Sequence, residues 1–278
     1  MQRGVLASYD AFFGVALNIR TYHDLTEPDR SGLPGQIAAQ RRRVAARLAG
    51  VGRVVAVMSG KGGVGKSFAT AGLGRALARA GRTAGVLDAD FNGPTIPALL
   101  HIPVARCALR NDAIEPAVSS DGVRCFSMAL LLQDGRPLGF RGPEAESHVW
   151  RETLEAATLR EFLADVAWGT LDRLLVDLPP GIQRFQELVD LLPAPPAVLT
   201  VTIPTAESRD AVRRAMQFAQ ERGAQLLGVV ENMVDGPFAG DAGEALAREF
   251  ATPLVARVPF NPDLRVWDGL AQWMMRSS

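Results

Sequence analysis

Cysteine is scarce in this sequence: among 278 residues only Cys107 and Cys125 carry a thiol, and no C-x-x-C spacing joins them. That excludes a disulfide scaffold and fits a reducing, cytoplasmic setting. Neither sign of charge is in excess. Lys and Arg together number 30, as do Asp and Glu, so bulk electrostatics propose no nucleic acid partner. No apolar run approaches the roughly 20 residues that a membrane span needs. The start of the chain has no basic segment followed by an uninterrupted apolar one, so no signal peptide is expected. What is present, 47% hydrophobic and 22% charged residues, suits one globular α/β domain with a sizeable core.

The most informative stretch runs from Arg53 to Arg79. Arg53 to Met58 is a short, β-branched apolar run that reads as a buried parallel strand. It breaks into Ser59-Gly60-Lys61-Gly62-Gly63-Val64-Gly65-Lys66-Ser67-Phe68, and a helical run rich in Ala, Leu and Arg follows, ending at Gly81. Strand, glycine-rich loop and helix in this order form a phosphate cradle: backbone N–H groups turn inward and the helix N-terminus adds partial positive charge. Gly60, Gly65, Lys66 and Ser67 fit G-x-x-x-x-G-K-[ST], with Lys66 on the outer phosphates and Ser67 on Mg²⁺. Lys61 is an extra lysine where the chain approaches the phosphates. Its alternatives are a phosphate contact or a solvated loop side chain.

Residues 1–50 read as an N-terminal extension with one helix, and 51–278 as the P-loop domain. In the extension, Gln36 to Leu48 looks helical, with Arg41, Arg42 and Arg43 forming a solvated face or a patch for an acidic partner. From Arg53 onward strands alternate with helical periods, the pattern of a doubly wound, mostly parallel sheet. Strands are expected over Thr83 to Asp88, Val123 to Met128, Leu171 to Asp177, Ala197 to Ile203, Leu226 to Glu231 and Leu254 to Val258. Helices are expected over Ser147 to Val166, Gln183 to Leu192, Glu207 to Arg222 and Ala242 to Phe250. Cys125, on a strand, reads as a small core residue.

Ligands of such sheets bind at the carboxyl ends of the strands, and three acidic or amide motifs fall there. Asp88-Ala89-Asp90 closes the second strand, where one carboxylate can orient Mg²⁺-bound water and the next the attacking water. Asp177-Leu178-Pro179-Pro180-Gly181 ends a later strand, with an acid placed to hold Mg²⁺ or to cap the next helix. Gly181, after Pro180, has the backbone freedom to bring an N–H to a γ-phosphate and report its loss. Glu231-Asn232-Met233 offers an amide with both donor and acceptor, as an adenine edge requires.

In family terms, G-K-G-G-V-G-K-S, V-L-D-A-D-F-N-G-P, R-G-P at Arg141 to Pro143, W-G-T-L-D at Trp168 to Asp172, D-L-P-P-G, G-V-V-E-N-M and V-P-F-N-P-D-L-R resemble the Mrp/ApbC family. These are iron–sulfur cluster carriers among the MinD/ParA-like ATPases with a deviant Walker A loop. The resemblance spans roughly residues 50 to 266. It implies a slowly hydrolysing, Mg-ATP-binding homodimer in which Lys61 reaches the partner's phosphates. It further implies that Lys66 and Ser67 bind phosphate and Mg²⁺, Asp90 positions the hydrolytic water, Asp177 is the Walker B acid and Asn232 meets adenine. Iron–sulfur target or scaffold proteins would be the partners.

The departures are specific. The family's E-N-M usually leads to C-P-x-C, whose thiolates hold a bridging cluster, whereas here Asn232-Met233 runs through Val234 to Phe238 with no cysteine. Cys107 and Cys125 lack thiol partners at ligand spacing, so a bound cluster is not supported by the family's usual means. G-T-G-D becomes Gly181-Ile182-Gln183-Arg184, and Phe68 replaces the usual threonine. At the C-terminus, Leu264, Val266, Trp267, Leu270, Trp273 and Met274 gather on one side of a helical wheel. Residues 263–278 therefore either dock on the core or lie on a membrane surface. The second option belongs to an alternative function, a MinD/ParA-like positioning or regulatory switch without a cluster. A small-molecule kinase is a third reading, for which no second substrate site is visible.

Overall fold

The computed structural model describes residues 33–103, 109–110, 113–131, 147–263 and 265–276. Cys107, Leu264, the Arg141 to Pro143 motif and the first 32 residues lie outside these. The chain divides into two compact units, residues 1–40 and 41–278. Helix α1 (Leu33–Leu48) runs across that boundary, and everything else described belongs to the second unit.

In chain order the second unit continues with β1 (Val54–Met58), α2 (Lys66–Arg79), β2 (Ala84–Asp88), α3 (Ile96–Leu99), β3 (Leu109–Arg110), β4 (Ala113–Ile114), β5 (Ala117–Val118) and β6 (Arg124–Phe126). Then come α4 (Ser147–Asp165), β7 (Arg173–Asp177), α5 (Gln183–Leu191), β8 (Ala197–Thr202), α6 (Ala206–Glu221), β9 (Leu226–Asn232), α7 (Ala242–Glu249), β10 (Leu254–Val258) and α8 (Val266–Arg276). Eight of the described strands form one sheet in the order β10-β9-β8-β1-β7-β2-β6-β5. Every neighbouring pair in it is parallel except the edge pair β5–β6.

The strands are apolar on both faces because helices cover both. Val55, Val57, Val86, Leu175 and Leu199 face one apolar layer with Leu73, Leu77 and Trp267. Ala56, Met58, Leu87, Val176 and Val198 face the other, with Phe162, Phe185 and Ala219. The doubly wound reading is therefore correct. β1 lies at the middle of the sheet, and from it the strand order runs outward in both directions, which places the crevice for a ligand above its carboxyl end.

The strand expected over Val123 to Met128 stops at Phe126. Ser127 ends it: its hydroxyl accepts from the Ala129 N–H at 3.3 Å and starts a 3-10 turn over Met128–Leu130. The β3–β4 hairpin, the short α3 and the antiparallel β5 were not anticipated, since strands and helices of two to four residues have no readable period.

The C-terminal helix resolves one open choice. Trp267, Leu270, Ala271 and Met274 of α8 are all at most 1% exposed and pack on α2, with Phe68 edge-on to Trp267 at 5.8 Å between ring centroids. Arg79 of α2 also pairs with Asp268 at 2.6 Å. The membrane-surface option for 263–278 is thereby corrected: the apolar face of α8 is part of the core and is not available to lipid. Removing the Trp267 indole should destabilise the unit by about 3–5 kcal/mol. Urea unfolding of Trp267→Ala checks this, and a loss below about 1 kcal/mol would mean that α8 is not a core element.

Candidate active site

The site is built where β1, β7, β2 and β9 end. The loop after β1 turns into α2 at Gly65, whose φ of 81° is left-handed and suits glycine alone without strain. There is a second reason for glycine at this position: a Cβ would come within 2.2 Å of the Asn232 amide nitrogen. At the other end of the loop, a Cβ on Gly60 would meet the α6 backbone at Ala211, again 2.2 Å away. The loop is thus wedged between α6 and the end of β9, with Gly62 and Gly63 exposed and Val64 buried.

Lys66 and Ser67 open α2, and both reach Asp177 at the end of β7. Lys66 Nζ lies 2.8 Å from Asp177 Oδ2, with both side chains buried. The Ser67 hydroxyl donates to the same oxygen at 2.6 Å. Three residues further on, the Thr70 hydroxyl donates to Asp177 Oδ1 at 2.7 Å. Asp177 is therefore held on both oxygens by the first turn of the helix that the glycine loop feeds. Thr70 was not singled out from the sequence, although its place one turn after Lys66, facing the sheet, is the signal that could have found it.

Asp88 ends β2 directly beside Asp177 in the parallel register, and it is 1% exposed. Its Oδ2 accepts from Ser127 Oγ at 3.1 Å and from the Ile96 N–H at 3.2 Å. Burial, and next the charge of Asp177, push the Asp88 carboxyl up to about 7, with the hydrogen bonds opposing. Asp90 is two residues on, half-buried, and its Oδ1 accepts from the Gly93 N–H at 3.3 Å to close a tight loop. The hydroxyl of Ser67 and the two carboxylates form an oxygen-only donor set, which suits Mg²⁺ rather than a thiophilic metal.

The remaining predicted residues lie around this centre, some at its rim and some beneath it. Gly181 has φ 99° and donates its N–H to the Ser59 carbonyl at 3.1 Å, joining the β7 turn to the loop, and Pro180 is exposed. Asn232 is 4% exposed, and its amide donates to the Val64 carbonyl at 2.9 Å. In this state it braces the glycine loop from below. The ring of Phe68 points away toward Trp267, which leaves its backbone for any ligand contact. Lys61, by contrast, is exposed. Cys125 is buried in β6, and among the described residues no group of three or more His, Cys, Asp or Glu is placed to share a metal ion.

This geometry matches a known family. Residues 50–275 fit the family model described as NUBPL iron-transfer P-loop NTPase, in the ParA group. The chain belongs to that family. The chain is 33% identical over 241 residues to the iron-sulfur cluster carrier protein of Saccharolobus solfataricus, covering 82% of this chain and 78% of that one. To a cytosolic Fe-S cluster assembly factor of Bos taurus it is 38% identical over 233 residues, covering 78% and 82%. Among solved structures, the nucleotide-binding protein of Archaeoglobus fulgidus in complex with ADP superposes with a TM-score of 0.66 at 32% identity, over 84% of this chain and 92% of that one. The cell division ATPase MinD of Pyrococcus furiosus superposes with a TM-score of 0.59 at 19% identity, over 82% and 100%, a likeness of fold alone.

The raised Asp88 value has a consequence for stability. Between 3.8 and about 7 the folded chain keeps a proton that the unfolded chain has released. The folded state therefore loses ground as pH rises through that window, and the loss levels off above it. Urea unfolding of the nucleotide-free protein from pH 4.5 to 8 should show this decline, and Asp88→Asn should make it shallower, leaving the share of Glu161, whose carboxyl burial also pushes up to about 7. A variant with the wild-type slope would show that another group titrates there.

Proposed function

We propose that this chain is a Mg-ATP-binding, slowly hydrolysing ATPase that works as a nucleotide-gated homodimer in iron–sulfur cluster assembly or transfer to target proteins. The observation that carries it is the convergence of Lys66, Ser67 and Thr70 on Asp177 beneath a glycine loop. The ATPase occupies 51–278, with 1–50 as an extension. The relatives' names support the iron–sulfur setting, and the cytosolic one among them supports the cytoplasm.

Each residue then has a role that its position supports. Backbone N–H groups from Gly60 to Ser67 surround the phosphates, and Lys66 exchanges Asp177 for phosphate oxygens. Ser67, Asp88 and Asp177 would hold Mg²⁺, which when bound neutralises phosphate charge. Asp90 orients the attacking water, and Asn232 turns toward the adenine edge. The Gly181 N–H, now on Ser59, moves to the γ-phosphate and returns when that group is lost. Lys61 already faces solvent and reaches the phosphates of a second copy. Its charge adds to the contacts, foremost the backbone N–H and the Thr205 hydroxyl, that hold the exposed Glu207 carboxyl below its usual range.

The cluster is cargo, and the residues described do not fit it: the thiols are too few, and Cys125 is inside the sheet. A partner protein therefore holds it during transfer. Light scattering of the full chain tests the gating. ATP with Mg²⁺ should double the mass of the wild type and leave Lys61→Ala monomeric. A wild type that stays monomeric with ATP would end the dimer mechanism.

A further inference from the structure

One buried charge pair lies outside the phosphate cradle. Arg184, in the first turn of α5, has a side chain only 6% exposed. Its Nη2 donates to Glu155 of α4 and its Nη1 to Glu187 one turn along its own helix. The other oxygen of Glu155 accepts from the Asn92 amide at 3.1 Å. The Arg184 guanidinium also lies over the Phe91 ring, 5.1 Å from its centroid.

Phe91 and Asn92 directly follow Asp90. Arg184 therefore grips the Asp90 loop twice: once through the face of Phe91, and once through the Glu155 carboxylate to Asn92. On its other side Arg184 begins three residues after Gly181, whose N–H is tied to Ser59 of the glycine loop. The contacts and the short backbone steps between them make a chain from Ser59 through Gly181, Arg184, Glu155 and Asn92 to Asp90. A buried pair with one oxygen given to an exposed loop amide is a costly arrangement if packing were its only use, since apolar residues fill such space as well.

We propose that Glu155 and Arg184 are positioning residues, a carboxylate–guanidinium strap that fixes the Asp90 loop to the helix following Gly181. The idea rests on the reading of Asp90 and Gly181 given under the proposed function. A shift of Gly181 toward a γ-phosphate moves the start of α5, and the strap carries that shift to the residue that orients water.

The test is steady-state ATP hydrolysis by the full chain with Mg²⁺, together with binding of a fluorescent ATP analogue. The proteins are wild type, Asn92→Ala, Arg184→Lys and the double variant. Asn92 is exposed, so its truncation keeps the test readable even if Arg184→Lys folds poorly. Each single variant should lower kcat by about tenfold through misplacement of Asp90, with KM and analogue affinity held within about twofold. The double variant should be no slower than Arg184→Lys alone, because Asn92 reaches Arg184 only through Glu155. Unchanged kcat, a parallel loss of affinity, or multiplying losses would overturn the strap alone. A wild type that binds the analogue and never turns it over would overturn the ATPase reading and the strap with it.

Discussion

Two carboxylates, Asp88 and Asp177, end neighbouring parallel strands in direct register, with at most 1% exposure each. The rest of the unit can be understood as what makes that arrangement tolerable. Like charges at this separation in a poorly solvated place repel strongly, so one must be compensated and the other must hold its proton more tightly. Asp177 is compensated by Lys66, Ser67 and Thr70 from a single helical turn. That turn can lie there only because Gly65 turns the chain in a left-handed conformation, at the point where Asn232 leaves no room for a Cβ. Asp88 has only neutral donors, from Ser127 and Ile96, which oppose the rise but leave burial and the Asp177 charge to push it up to about 7.

Two buried carboxylates side by side repel one another, and under the proposed function that repulsion would favour a divalent ion carried by a phosphate. Lys66 has a double position in this account. Against Asp177 it offsets a buried charge, and in the proposed function it would serve phosphate instead, so the two uses compete. A nucleotide that brought its own cation would replace the lysine on Asp177 and free it for phosphate in one exchange. The β7 turn is poised in the same way, because the Gly181 N–H has a partner in Ser59 that is no stronger than a phosphate oxygen.

The sequence was legible where structure is local. The P-loop spacing, the acids closing β2 and β7, and Asn232 closing β9 all sit at ends of runs whose period shows directly. Strand order was not legible, because β7 enters between β1 and β2 from nearly ninety residues downstream and nothing in either strand names its neighbour. For the same reason the pairing of Asp88 with Asp177, and the meeting of Asn92, Glu155 and Arg184, could not be read: each joins elements far apart in the chain. The C-terminal helix shows the limit of a helical wheel. It reports an apolar face correctly but not what covers it, and here α2 covers it with Trp267 buried.

The missing thiols bear on how such a protein can serve cluster assembly. Thiolate ligands must be accessible, paired and deprotonated to hold iron, and Cys125 lies inside β6 between two helical layers. In the proposed function, chemistry on the cluster would then be the partner's, and what this chain would contribute is a surface whose shape depends on the γ-phosphate. That surface is set by the two loops at the mouth of the site, and both are anchored below by buried contacts rather than left to solvent. A chain with a P-loop, two strand-end acids and no thiol ligands among its described residues beyond the buried Cys125 would be better suited to timing a transfer than to carrying the cargo.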